Sequence, residues 1–232
     1  MNRKLLPFAV LAALSGGDAN ALLIDSFLTP TSSLSAINGP AGPTLVTGAT
    51  VTVGNSRELA VTAVGGTATN KSVTVIAGGG ELSVANGPDT TSTSTVVWDN
   101  GGTDVLGANL TDGGASNALK LQITKIDLGF VTLTFDITDT SLNTASLTLT
   151  GLGTGLHSFN FSQFTNFSGT SFSSVDIIQL TVVAGNDADL ILSLVETNSF
   201  APPPPTGTPE PATLSLFGMG LAAMAARRRR KA

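Results

Sequence analysis

The sequence predicts an all-β body, an antiparallel β-sandwich of jelly-roll type, and three observations lead there. Apolar and polar residues alternate at period two over residues 118–126, 131–137 and 189–195, the pattern of strands with one buried face. Turn-forming clusters recur between such runs: Gly65-Gly66, Gly78-Gly79-Gly80, Asn100-Gly101-Gly102, Asp112-Gly113-Gly114 and Gly185-Asn186-Asp187. The body is rich in Thr, Ser, Val, Leu and Gly, and long helical periodicity is absent from it. About ten short strands separated by turns close into two packed antiparallel sheets.

In chain order, residues 1–21 read as a secretory signal. Arg3 and Lys4 form a basic start, residues 5–14 an apolar run, and Ala19-Asn20-Ala21 a small-residue cleavage site with Ala19 and Ala21 at its two small positions. The Sec translocon and signal peptidase are the partners this implies, with Leu22 as the mature start. Residues 22–198 are the sandwich. Its strands are expected at 50–53, 58–64, 72–76, 81–85, 95–98, 118–126, 131–137, 145–150, 156–161, 175–183 and 189–195. Residues 199–208, with Pro202 to Pro205 in a row, form a stiff extended linker. Residues 209–232 combine Pro209-Glu210-Pro211, an apolar stretch at 212–226, and the cations Arg227, Arg228, Arg229, Arg230 and Lys231. Fifteen helical residues rise roughly 22 Å, short of a hydrocarbon core of about 30 Å. Snorkelling arginines extend that reach and hold this end on the cytoplasmic side, leaving the body outside.

Charge and cysteine narrow the function classes. The chain has 11 cations and 16 acids, but seven of the cations sit in the two terminal segments. Between Leu22 and Pro211 only Arg57, Lys71, Lys120 and Lys125 face 15 acids, a net of −11. Such a body repels phosphate backbones, which excludes nucleic acid as a partner. With no cysteine, disulfides, thiolate metal sites and cysteine nucleophiles are excluded, and the core alone holds the fold.

The tail closely resembles the PEP-CTERM sorting signal, in which a Pro-Glu-Pro motif, a hydrophobic helix and an Arg-rich end follow in this order. The resemblance implies recognition of Pro209, Glu210 and Pro211 by an exosortase, a membrane cysteine protease-transpeptidase of Gram-negative bacteria that often make extracellular polysaccharide. It implies a temporary transmembrane helix at 212–226 and retention by Arg227 to Lys231. Ser56-Arg57-Glu58-Leu59, Trp98-Asp99-Asn100-Gly101, residues 108–114 and residues 172–181 together look like ectodomains common among PEP-CTERM proteins, which are similar to galactose-binding-type jelly rolls. That similarity supports the fold and names no ligand.

Candidate chemistry is sparse. His157 is the only histidine, so a histidine metal cluster is excluded. Without a G-x-S-x-G elbow it reads as a structural residue, and no catalytic residue is assigned. Asp99, Asp104 and Asp112 lie in a Gly-rich stretch and supply the hard oxygens that calcium accepts. They do not match a calcium-loop pattern, and Asp in a turn commonly serves the turn itself. Trp98, at the end of an apolar run, reads as core rather than sugar platform. Phe159, Phe161, Phe164, Phe167 and Phe172 suggest a loop folded onto the core. Thr50-Val51-Thr52, Thr132-Leu133-Thr134 and Thr148-Leu149-Thr150 evoke an ice-binding face, but they are irregularly spaced and Thr favours strands anyway. The leading reading is therefore an exported, non-enzymatic cell-surface or extracellular-matrix protein. A glycan-binding or calcium-bridged polysaccharide-binding module is the alternative, ahead of an ice-binding protein or a secreted hydrolase.

Overall fold

The computed structural model describes residues 21–30, 33–37, 39–47, 53–64, 72–102, 106–127 and 130–198, all within one compact unit, Met1–Phe200. The expected secretory signal apart from Ala21, the expected linker, and the tail with the helix expected at 212–226 lie outside the described residues. So do Asp104 and Thr50 to Thr52.

Thirteen strands occur among the described residues: β1 (Leu23–Asp25), β2 (Leu34–Ile37), β3 (Pro40–Thr47), β4 (Ser56–Val64), β5 (Ser72–Gly78), β6 (Glu81–Asn86), β7 (Thr91–Trp98), β8 (Ala118–Asp127), β9 (Val131–Asp139), β10 (Thr144–Thr150), β11 (Gly155–Asn160), β12 (Val175–Ala184) and β13 (Asp189–Asn198). They form two antiparallel sheets. The first runs β11-β8-β13-β6-β5-β2, with β1 also paired to β13, and the second runs β10-β9-β12-β7-β4-β3. The chain crosses between sheets after β2, β4, β6, β7, β8, β10, β11 and β12, so many neighbours in sequence lie in opposite sheets.

Period-two alternation does what it predicts. Along β7 and β9 buried and half-buried residues alternate without a break. Leu59, Val61, Val96, Trp98, Phe135, Ile137, Ile178 and Leu180 of the second sheet turn inward. They meet Leu82, Val84, Leu121, Ile123, Leu190, Leu192 and Val195 of the first. This burial is the main stabilising term for a chain without disulfides. Strands β1, β2 and β3 were not expected from sequence. Val53, assigned to a strand, lies instead in the turn before β4, where Asn55 takes a left-handed backbone.

The segment between β11 and β12 packs as the phenylalanine content suggests. Phe172 meets Phe161, Phe164 and Phe167 with ring centroids 4.6, 5.5 and 5.4 Å away. Phe159 does not join them. It lies one strand step away and stacks on His157 at 6.2 Å.

One carboxylate fastens this segment to the β9–β10 turn. Asp139 Oδ1 accepts from the Ser141 and Asn143 amides at 2.8 and 2.9 Å, and Oδ2 accepts from the Ser171 amide at 2.8 Å. The Ser171 amide first, then Asn143, hold this carboxyl below its ordinary value of 3.8, because hydrogen bonds to the ionised form favour it. A carboxyl that is more acidic in the folded state contributes stability above its unfolded pKa, and loses it as pH falls through the folded one. Asp139→Asn is therefore expected to melt below the parent at neutral pH, with a gap that narrows as pH drops below about 4. Melting curves across pH check this, and a gap independent of pH contradicts it.

Candidate functional site

The sandwich has two unlike ends. β8 pairs with β13 so that Ala118 faces Asn198 and Asp127 faces Asp189. At the Asp127 end, away from Asn198, lies a cleft of about 530 Å³. Its walls are Ile126 and Asp127 from the end of β8, Phe130 just before β9 with Val131 and Thr132 at its start, and Thr150 at the end of β10 with Gly151 and Leu152 just after it. Phe130 is 63% exposed, an unusual setting for a ring with no polar handle.

That ring is held from behind. The Gly185 amide donates to the Phe130 carbonyl at 2.8 Å. A Cβ placed on Gly185 would lie 2.9 Å from two ring carbons of Phe130, so only glycine lets the ring seat there. Gly185 is fixed in turn by Asn86, whose amide nitrogen donates to the Gly185 carbonyl at 2.8 Å and whose amide oxygen accepts from Ser92 Oγ at 2.7 Å. The facing wall is tied by His157, whose Nε2 lies 2.8 Å from the Gly153 carbonyl oxygen. A carbonyl only accepts, so Nε2 carries the proton. The cleft thus joins an apolar floor to the hydroxyls of Thr132 and Thr150 and the carboxylate of Asp127. Lys125 offsets local charge, with Nζ 3.8 Å from Asp127 and 3.2 Å from Asp189, an exposed arrangement that adds little stability.

A second polar constellation lies buried between the sheets. Arg57 of β4 and Asp25 of β1 are both 0% exposed. Asp25 Oδ2 accepts from Arg57 Nη1 at 2.6 Å and from the Trp98 indole at 2.9 Å, while Oδ1 accepts from the Phe27 amide at 2.7 Å. Arg57 Nη2 donates to the Thr29 carbonyl at 2.6 Å, and the guanidinium lies 5.4 Å from the Phe27 ring centre. No solvent reaches this cluster, so its role is structural: it ties the N-terminal strand of one sheet to two strands of the other. Trp98 is core, as its sequence context implies.

Of the acidic residues singled out from sequence, Asp104 lies outside the described residues, and Asp99 and Asp112 are found in turns. Asp99 Oδ1 accepts from the Gly101 amide at 3.0 Å, which serves the turn after β7. Asp112 is exposed, with a left-handed backbone. Among the described residues no group of three or more His or acidic side chains is placed to hold a metal ion. The cleft residues carry no sequence motif, and Phe130 and Leu152 fall between strands where alternation is silent.

The tail answers to a known signal. Residues 208–230 match the PEP-CTERM protein-sorting motif. The PEP-CTERM match takes in Pro209, Glu210, Pro211, the apolar stretch and Arg227 to Arg230. No curated protein matches the chain in sequence. Among solved structures, the chain is similar to the family 11 carbohydrate-binding module of the cellulosomal cellulase Lic26A-Cel5E of Clostridium thermocellum, at 12% identity and TM-score 0.39, over 78% of this chain and 95% of that one. A family 11 module from the same organism, in complex with a β-1,3-1,4-mixed-linked tetrasaccharide, gives 11% identity and TM-score 0.38 over 77% and 95%. TmCBM61 in complex with β-1,4-galactotriose gives 8% identity and TM-score 0.31 over 62% and 88%.

Proposed function

We propose that this protein is exported and sorted to the cell surface or extracellular matrix as an exosortase substrate, with the β-sandwich as the displayed body and no catalytic role. The observation that carries the reading is the PEP-CTERM match at residues 208–230. A tripeptide for recognition, an apolar segment too short to anchor alone, and a cationic stop are together a signal for handling at the membrane. Expression in paired hosts with and without an exosortase tests it. Full-length protein is expected to collect in the inner membrane of the host without the enzyme, and shortened protein outside the host that has it. Identical fate in both hosts contradicts the proposal.

A second reading, glycan binding by the sandwich, is favoured by the cleft. A sugar ring offers an apolar C–H face and a rim of hydroxyls. The cleft offers an exposed phenyl ring beside two threonine hydroxyls and a carboxylate, in a volume within the ordinary range for small-ligand sites. Phe130 is held in place by Gly185, so little ordering accompanies binding. Phe130→Ala is expected to weaken retention on a bound neutral saccharide about tenfold or more, since ring stacking contributes roughly 1–3 kcal/mol in comparable contacts. Gly185→Ala, which touches no ligand, is expected to weaken it in the same direction by displacing the ring. Affinity electrophoresis of the full chain in neutral polysaccharide gels measures both. Unchanged mobility of Phe130→Ala contradicts the cleft as the site.

A further inference from the structure

The cleft does not end at its own walls. Thr132 and Thr150, which border it, are a directly opposed pair on β9 and β10, and the pairing continues away from the cleft as Thr134 with Thr148, Asp136 with Ser146, and Thr138 with Thr144. Every one of these side chains is exposed or half-exposed, on the face of the sheet turned away from the core. Four cross-strand pairs along six residue steps make a ladder about 20 Å long at roughly 3.4 Å per residue.

The ladder is made of hydroxyls, with one carboxylate among them. Thr134 Oγ1 lies 3.2 Å from Thr148 Oγ1, Thr138 Oγ1 lies 2.9 Å from Thr144 Oγ1, and Ser146 Oγ donates to Asp136. Two paired hydroxyls spend one donor and one lone pair on each other, so each of these two threonine pairs keeps one O–H and three lone pairs for a ligand. The side chains are already held, so binding orders little. Beside the ladder, Thr181 of β12 is opposed to Thr134 and Gln179 to Asp136, which widens the same polar strip. It carries one acid, engaged by Ser146, and no cation, in a body of net charge −11. An anionic polymer is therefore repelled, and a neutral one is not.

We propose that one neutral polysaccharide chain lies with a sugar ring in the Phe130 cleft and its continuation along the β9–β10 hydroxyl ladder. The proposal rests on the glycan reading of the cleft and adds to it the class of ligand: an uncharged polymer bound along its length rather than a free sugar or a chain end. The strip has no aromatic ring, so the cleft supplies the stacking contact and the ladder supplies repeated hydrogen bonds.

The test uses the full chain purified in detergent and three proteins: the parent, Phe130→Ala, and the pair Thr134→Val with Thr148→Val, which keeps side-chain shape and removes two hydroxyls. Binding is measured to neutral polysaccharides, to short oligosaccharides of the same linkage, and to an acidic polysaccharide, with thermal unfolding of each variant as the check on folding. The valine pair is expected to bind polymer about tenfold more weakly, equivalent to roughly 1.4 kcal/mol, while short oligosaccharides bind as to the parent. Phe130→Ala is expected to lose both. If the valine pair binds polymer like the parent while Phe130→Ala does not, the ladder is overturned and the cleft stands. If the parent binds the acidic polymer as well as a neutral one, the ligand class is wrong. If the parent binds no neutral saccharide of any length, the cleft and the ladder both fall. Valine substitutions that lower the melting temperature and leave binding untouched show the threonine pairs serving only the sheet.

Discussion

Replacing Asp25 with alanine is expected to destabilise the protein by about 3–5 kcal/mol, the cost of leaving a buried cation without its counter-ion. For a chain of this size that lowers the melting temperature by roughly 10 °C. The geometry makes the loss threefold. Arg57, fully buried, keeps only its bond to the Thr29 carbonyl, and its Nε already has no partner among the described residues. The Trp98 indole loses its acceptor, and the turn into Phe27 loses the amide contact that shapes it. Phe27 has a left-handed backbone, which is costly for an aromatic residue without local support.

Removing both charges separates the ion pair from its surroundings. Asp25→Leu combined with Arg57→Met exchanges the pair for apolar side chains, an exchange that is often neutral. The double variant is expected to recover most of the loss, short by about 1–3 kcal/mol for the unpaired indole. Urea unfolding of the parent, Asp25→Leu, Arg57→Met and the double variant supplies the full cycle. A single Asp25→Ala variant within 1 kcal/mol of the parent sinks the idea that this pair ties the sheets together.

The same residues show what was legible in the chain and what was not. The alternating stretches now seen as β8, β9 and β13 were readable because each turns alternate residues into the core. β1 was not, because three residues are too short to show a period. β3 was hidden by Pro40, Gly42 and Pro43, which read as turn residues. Arg57 counted as a scattered cation, yet it shares its phase with Leu59, Val61 and Ala63, all inward-facing. An arginine in the core phase of a strand is itself a sign of a buried partner, and Asp25 is the partner the sequence alone had no means to select.

The hydroxyl ladder illustrates the converse. Thr132-Leu133-Thr134 and Thr148-Leu149-Thr150 are irregular along the chain. A hairpin closing through the Asp139 turn brings them into step, because each residue forward on β9 is met by one backward on β10. Their alignment depends on where the turn closes, and the Asp139 hydrogen bonds to Ser141 and Asn143 set that place. The cleft depends on a longer relation still, among β8, the β9 start, the β10 end and Gly185, which only the sheet order brings together.

The second large effect is expected in the tail, where separate parts have separate failures. Changing Glu210 to glutamine leaves the apolar stretch and the arginines untouched, so the forces that place the segment in the bilayer are unaltered. Recognition should fail while insertion persists, and full-length protein should accumulate in the inner membrane at the expense of nearly all released product. Replacing Arg227, Arg228, Arg229, Arg230 and Lys231 with neutral polar residues should act differently. Fifteen apolar residues fall short of the hydrocarbon thickness, and without cations to reach the headgroups the segment holds its place less well. That variant is expected to leave the membrane fraction still carrying its tail. Fractionation of cells with an exosortase, followed by mass measurement of the C-terminus, distinguishes the two. If Glu210→Gln is shortened and released like the parent, the Pro-Glu-Pro tripeptide is not read, and the tail acts as a membrane anchor alone.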